Sequence, residues 1–319
     1  MELVVVNGAS NISKRVIQGL CRGGAYNRVR LLDVRPFNQH VYTFQRDMAS
    51  QGIEVDKRLA NNGAALDIAM EGADKVVYFT HDYTSMCPDK NDFLVGTAKL
   101  AKKHGVKSLA AVCPLEHDMA YTEDQNRTWV QVRQDAEQSA LSFNKNMAIL
   151  NTDLVFSNGP AHMLHYMAQK SAGGKIPRGF LQDDVCFNPV HSDDVAEAVA
   201  HVLATHSHGQ FAVQGDKKVS LKELMGLVDQ ATGCTTSSQM FNNLFTLVDE
   251  FFTGHTVDKN LLNIVLDSKD DHPISGASFW EASGLTPQHD VHKHYAQPID
   301  RDQLAEPSRG DYKLPHMNF

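Results

Sequence analysis

The stretch Gly8-Ala9-Ser10-Asn11-Ile12-Ser13-Lys14 sits between an apolar run, Leu3-Val4-Val5-Val6, and a helix-like pattern at Ile12, Val16, Ile17 and Leu20. A turn in that place can hold the phosphates of a dinucleotide on backbone amides at a helix N-terminus. Such turns carry three glycines: one for the tight turn, one for approach to the pyrophosphate, one for helix–strand packing. Gly8 keeps the first place, Asn11 stands in the second and Lys14 in the third. Asn tolerates left-handed backbone angles, and a helix end attracts anions whatever its side chains. Two readings stay open: a nucleotide site built from Gly8, Ser10, Asn11 and Ile12, or a vestigial turn that packs without a ligand. Asp33 closes the next strand-like run, where a carboxylate would bond the ribose hydroxyls of NAD. Arg35 could instead receive the extra phosphate of NADP, and both residues also fit as a turn residue and a solvated charge.

Other chemistry is weaker. The chain has 16 histidines, among them His162 and His165, His206 and His208, and the group His289, His292 and His294. No cysteine or acid completes any of these at zinc spacing, so no metal site is expected. A hydrolase reading fails for want of a Gly-x-Ser-x-Gly elbow. Tyr166 and Lys170 form a Tyr-x-x-x-Lys string, but their helix also presents Met163 and Met167 and reads as a packing face.

These residues need elements to place them. Strand-like runs at 3–6, 28–32, 75–79, 108–113 and 147–156 alternate with helical patterns at 12–20, 64–73, 91–104 and 123–143. Strands alternating with helices predict a parallel sheet covered on both faces, an α/β Rossmann-type doubly wound fold. Segments 185–190 and 210–214 are expected to join that sheet, with a helix at 195–205 between them. The pattern predicts a Rossmann domain over 1–219, a smaller helical region over 220–286, and an extended polar tail over 287–319. Within the helical region, apolar residues such as Phe241, Leu244, Phe245 and Val248 form one broad face, expected to cover core rather than dock a partner.

The 319 residues carry 38 acids against 30 bases, a net charge of −8 that disfavours nucleic acid as a partner. The five cysteines are odd in number and lack framework spacing, which favours a reducing compartment. No apolar run reaches the roughly 20 residues of a spanning helix. No cleavable presequence is visible ahead of Leu3, which is an expectation of a cytoplasmic chain or of import by internal signals.

The segments Asn7-Gly8-Ala9-Ser10, Asn151-Thr152-Asp153-Leu154-Val155-Phe156-Ser157-Asn158-Gly159 and Phe187-Asn188-Pro189-Val190-His191-Ser192-Asp193-Asp194-Val195-Ala196, with Asp33, resemble atypical extended short-chain dehydrogenases. Within that superfamily the sequence is most similar to NmrA-like proteins and to the nucleotide-binding accessory subunit family of mitochondrial complex I, alpha subcomplex subunit 9. The resemblance runs from residue 1 to about residue 230. Active members use a Ser near the end of one strand and Tyr-x-x-x-Lys on the following helix, where the Tyr hydroxyl exchanges a proton with substrate. The matching positions here are Cys113, Trp129 and Arg133, and all three depart from that pattern, indole having no proton to exchange and a thiol being a poor donor. Arg133 could still orient a ribose. The resemblance therefore implies a non-catalytic accessory subunit holding NADP(H) or NAD(H) structurally, or having lost it. It further implies partner subunits in a large mitochondrial membrane complex, at the matrix side of the inner membrane. The alternatives it leaves are an active NAD(P)-dependent reductase or epimerase and an NmrA-like redox-sensing regulator.

Overall fold

In a computed structural model of the chain, the described residues are 1–33, 37, 39–60, 63–80, 90–114, 129–157, 186–233, 274 and 276–298. They fall into two compact units whose segments interleave along the sequence. Unit 1 comprises Met1–Thr152, Ser192–Gln214 and Ile274–Thr286; unit 2 comprises Asp153–His191, Gly215–Pro273 and Pro287–Phe319.

Unit 1 is built on β1 (Glu2–Val6), α1 (Asn11–Arg22), β2 (Arg28–Asp33), α2 (Gln39–Ser50), β3 (Glu54–Leu59), α3 (Gly63–Ala69) and β4 (Lys75–Phe79). It continues through α4 (Lys90–Lys103), β5 (Ser108–Pro114), α5 (Trp129–Phe143) and β6 (Met147–Thr152). The strands pair in parallel in the order β3-β2-β1-β4-β5-β6, extended by two later strands, β10 (Gly209–Val213) and β12 (Ala277–Ser278). This is the doubly wound Rossmann-type sheet the alternation predicts. Its order reverses between β1 and β4, and a reversal of that kind opens a crevice at the carboxyl ends of the strands.

The strand sequences explain the burial. Leu3 to Val6 and every residue of β5 and β6 are buried, as both faces of a parallel sheet are covered. One face carries a core joining Val4, Tyr78, Leu109 and Ile149 to Leu94 and Ala98 of α4 and Ala140 of α5. Elsewhere in unit 1, α1 packs against α6 (Ser192–Thr205), so closely that a Cβ on Gly19 would lie 2.6 Å from that of Ala196. Arg22 closes the same contact with an ion pair to Asp193 at 2.6 Å.

At the sheet edge, β3 reads Glu-Val-Asp-Lys-Arg-Leu and alternates weakly, because half of it faces solvent. Buried Arg30 of β2 donates to the carbonyls of Ala69 at 2.8 Å and Glu71 at 3.0 Å, and pairs with Glu2 at 2.9 Å. Its guanidinium thus takes up carbonyls left unpaired at the end of α3. That helix stops at Ala69, earlier than the 64–73 pattern suggests, and the chain turns through Gly72 at φ 73°.

Unit 2 holds β7 (Val155–Phe156), β8 (Cys186–Phe187), β9 (Val190–His191), β11 (Val219–Ser220), α7 (Leu221–Thr232) and α9 (Val291–Tyr295). The expected strand 147–156 is broken: β6 ends at Thr152, and β7 pairs in parallel with β9 in a separate two-stranded sheet. The segment expected at 185–190 likewise leaves the main sheet, since β8 pairs antiparallel with β11. Ser220 caps α7 by accepting from the amide of Glu223, and Gly233 ends it at φ 63°.

The 287–319 stretch, expected as an extended tail, contains α9. The Asp290 side chain caps that turn by accepting from the amides of His292 and Lys293. Val291 and Tyr295, four apart, are buried and give the turn an apolar face, while α9 packs on α7. Ala277–Ser278 and α8 (Phe279–Ser283), placed by sequence in the 220–286 region, belong to unit 1 instead. There Trp280 donates from Nε1 to the Gln214 carbonyl at 2.6 Å. Among the described residues no helix is long and apolar enough to cross a membrane. The helices expected around Tyr166 and over 240–252 lie outside the described residues.

Candidate functional site

At the switch point the chain leaves β1 through Asn7, which adopts a left-handed φ of 58°. Asn is among the few non-glycine residues that do so at low cost. Its side chain donates from Nδ2 to the Phe79 carbonyl at 3.1 Å, bridging the ends of β1 and β4 where the sheet order reverses. Its Oδ1 is buried with no hydrogen-bond partner among the described residues. An acceptor left like that costs about 1–3 kcal/mol unless something supplies a donor.

Gly8 follows, and its amide donates to the Leu32 carbonyl at 3.3 Å. A Cβ there would stand 2.2 Å from Leu31 Cδ1, so the close approach demands glycine. The Ala9 amide then donates to Asp33 Oδ2 at 3.1 Å, binding the turn to the end of β2. Ser10 caps α1 by accepting from the Ser13 amide at 3.1 Å, while Ser13 Oγ donates to the Ser10 carbonyl at 2.8 Å. Three anchors, on β4, β2 and α1 itself, therefore fix the turn that the second and third glycines would otherwise have shaped. Lys14, in the third glycine's place, is accommodated with 8% of its surface exposed.

Gly8, Ser10, Asn11, Ile12 and Asp33 come together in this turn and at the neighbouring end of β2. Asp33 is 1% exposed and commits one oxygen to the turn, so its carboxylate shapes the loop. Asn11 and Ile12 open α1, whose first-turn amides point out of the helix end. Arg35 lies outside the described residues, and Arg133 and Trp129 are placed on α5 without described side chains. Cys113 is different: its side chain belongs to the apolar core with Leu109 and Ala111, one strand period apart on the same face. It faces packed helices rather than an open crevice.

Asn7 is the site residue that sequence reasoning passed over. The signal was present in its position immediately before Gly8 and in its tolerance of positive φ.

The Asn188-Pro189-Val190-His191 segment is tied down within unit 2. The Asp153 carboxylate accepts from the amides of Leu154 at 2.7 Å and Asn188 at 2.8 Å. The Gly215 amide donates to the Asn188 carbonyl at 3.0 Å, and a Cβ on Gly215 would fall 2.0 Å from the Pro189 carbonyl oxygen. The Asp, Asn-Pro and Gly of this stretch thus serve one tight backbone crossing.

No family model matches the sequence, and no curated protein matches it. Solved structures do share its fold. A dTDP-glucose 4,6-dehydratase double mutant from Streptomyces venezuelae, with NAD bound, superposes at a TM-score of 0.69 and 16% identity, covering 97% of this chain and 98% of its own. The triphenylmethane reductase of a Citrobacter species, complexed with NADP(H), gives 0.62 at 18% identity over 92% and 99%. A nucleoside-diphosphate-sugar epimerase from Staphylococcus aureus gives 0.63 at 12% identity over 93% and 100%. The class these comparisons define is the Rossmann-type α/β fold of such dehydratases, reductases and epimerases.

Proposed function

We propose that this chain binds NAD(H) across the β1–β4 switch point and works as a dinucleotide-dependent reductase or epimerase of the extended short-chain dehydrogenase type. The observation that carries the reading is the anchored turn with its buried, unpartnered Asn7 Oδ1 at the place where the fold binds ligands. The residues fit the group. The α1 N-terminus, with the Asn11 and Ile12 amides, would face the pyrophosphate, and Asp33 would accept from the ribose hydroxyls. A carboxylate there also repels a ribose phosphate, which favours NAD(H) over NADP(H). When bound, the nicotinamide supplies the hydride chemistry; the protein's part is to hold and orient it.

A second reading is the non-catalytic accessory subunit, for which the complex I family is the specific form, and the core-packed Cys113 favours it. Titration of the purified full chain with NADH and with NADPH tests the main proposal. Saturable binding with NADH preferred is expected, and no binding of either at millimolar concentration overturns it. A carbonyl and nucleotide-sugar panel then separates the two readings: turnover supports the enzyme, whereas tight NADH binding without turnover, beside constant membrane-complex partners in native isolates, supports the accessory subunit.

A further inference from the structure

In unit 2 three histidines from distant parts of the chain share one aromatic cluster. His289 stacks on His191 with ring centroids 4.1 Å apart and planes 21° from parallel. His294 lies 5.6 Å from His191, and Phe156 meets both rings edge-on at 5.1 Å. Phe156 and His191 are buried, so close packing holds the His191 ring in place. Two residues on along the chain, Asp193 brings a carboxylate oxygen within 4.8 Å of ring nitrogens of His191 and His289.

We propose that His191, Asp193 and His289 form a site for one borderline divalent cation, with zinc as the prototype. Two imidazole nitrogens and one carboxylate oxygen are a donor set that zinc takes, with a fourth position left for water. Magnesium and calcium prefer shells of oxygen alone, so the two imidazoles select against them. Ligand atoms around a tetrahedral zinc stand about 3.4 Å apart, so closing from the present spacing moves each group by less than about 1 Å. Support behind the ligands is in place. Arg22 donates to Asp193 Oδ2 at 2.6 Å and orients the carboxylate, as outer-shell partners of metal ligands do. Asp290, next to His289 in sequence, is engaged elsewhere: it caps α9 and pairs with Lys217 at 3.4 Å. Any proton shared among the three ligands leaves as the ion binds. The positive Arg22 beside a single carboxylate weakens the attraction, so micromolar rather than nanomolar affinity is expected. Bound there, the ion ties the 287–298 segment to β9. Local spacing hides such a site from sequence reading, because His289 lies far along the chain from His191-Ser192-Asp193.

The full chain, stripped with a chelator and dialysed at about pH 7.5 so that imidazoles are neutral, is titrated calorimetrically with zinc chloride and separately with magnesium chloride. Zinc is expected to bind with a dissociation constant below about 50 µM, and magnesium at least about tenfold more weakly. Weaker zinc binding, or magnesium binding closer to it than that, overturns the site. His289→Phe keeps a ring for the stack but removes a ligand, and should weaken zinc at least about tenfold. His208→Gln, at an exposed histidine, should leave it unchanged. A smaller loss in His289→Phe places the ion on other histidines, an adventitious site, and overturns the proposal. Should that variant fold poorly, labelling of the parent chain with diethyl pyrocarbonate, mapped by mass spectrometry, decides. Saturating zinc should slow labelling of His289 at least about tenfold, because the coordinated nitrogen has no lone pair to react, and leave His208 unchanged. A smaller effect on His289, or equal slowing at His208, overturns the site.

Discussion

Gly8 and Asp33 carry separable duties in the turn, and substitution tells them apart. In Gly8→Ala the new Cβ meets Leu31 Cδ1 at 2.2 Å and Val5 Cγ1 at 2.8 Å, both inside the core. Overpacking of this kind costs about 1–3 kcal/mol, read as a lower urea midpoint with or without dinucleotide. Asp33→Asn keeps an acceptor for the Ala9 amide but removes the charge that the proposed site would offer to a ribose. We expect NADH affinity to fall about tenfold or more, as for loss of a charged hydrogen bond, and the preference over NADPH to shrink. Equal losses for both nucleotides would show that Asp33 acts only through the loop. Much of this turn was legible from residue types, because glycine, Asn and Ser each have a backbone reason to be there. The burial of Cys113 was not: a strand buried on both faces gives no alternation from which to tell core from crevice.

Elements were legible where burial is complete. The β-branched and aliphatic runs of β1, β2, β4 and β5 declare themselves, since each is covered on both faces. The edge strand β3 and the α2 that leads to it are missing from the sequence reading, because half-exposed charged residues erase the apolar pattern. The five residues of α9 are too few to show helical periodicity, and only the Asp290 cap marks them. The break between β6 and β7 escapes for another reason: Asn151 to Phe156 are apolar or buried polar throughout, and the turn is made by Asp153 accepting backbone amides. Arg30 shows how an ionic group substitutes for helix length at the edge of the sheet. Arg30→Ala strands the Ala69 and Glu71 carbonyls and leaves Glu2 only its weaker pair with Arg28 at 3.6 Å, so about 2 kcal/mol of stability should be lost. An unchanged urea slope with a lower midpoint is the signature to look for. A neutral outcome would mean that water replaces the guanidinium at no cost.

For the whole molecule, the two units offer two independent handles. The Gly8 turn, the proposed dinucleotide site, lies in unit 1 and the histidine cluster in unit 2. A ligand that binds only the folded chain stabilises it by mass action, about 2.7 kcal/mol at 100 times its dissociation constant. Acidification acts in the opposite direction on a histidine whose pKa burial has lowered. Calorimetry of the full chain with and without NADH, at neutral and mildly acid pH, therefore yields a two-by-two test. NADH should raise the transition that reports unit 1 at both pH values, by several degrees near 100-fold saturation, as mass action on a domain of this size requires. Acid should lower the transition that reports unit 2 whether or not NADH is present. A single transition in which the NADH effect vanishes in acid would instead show that the units unfold as one and that the histidines act on the dinucleotide site.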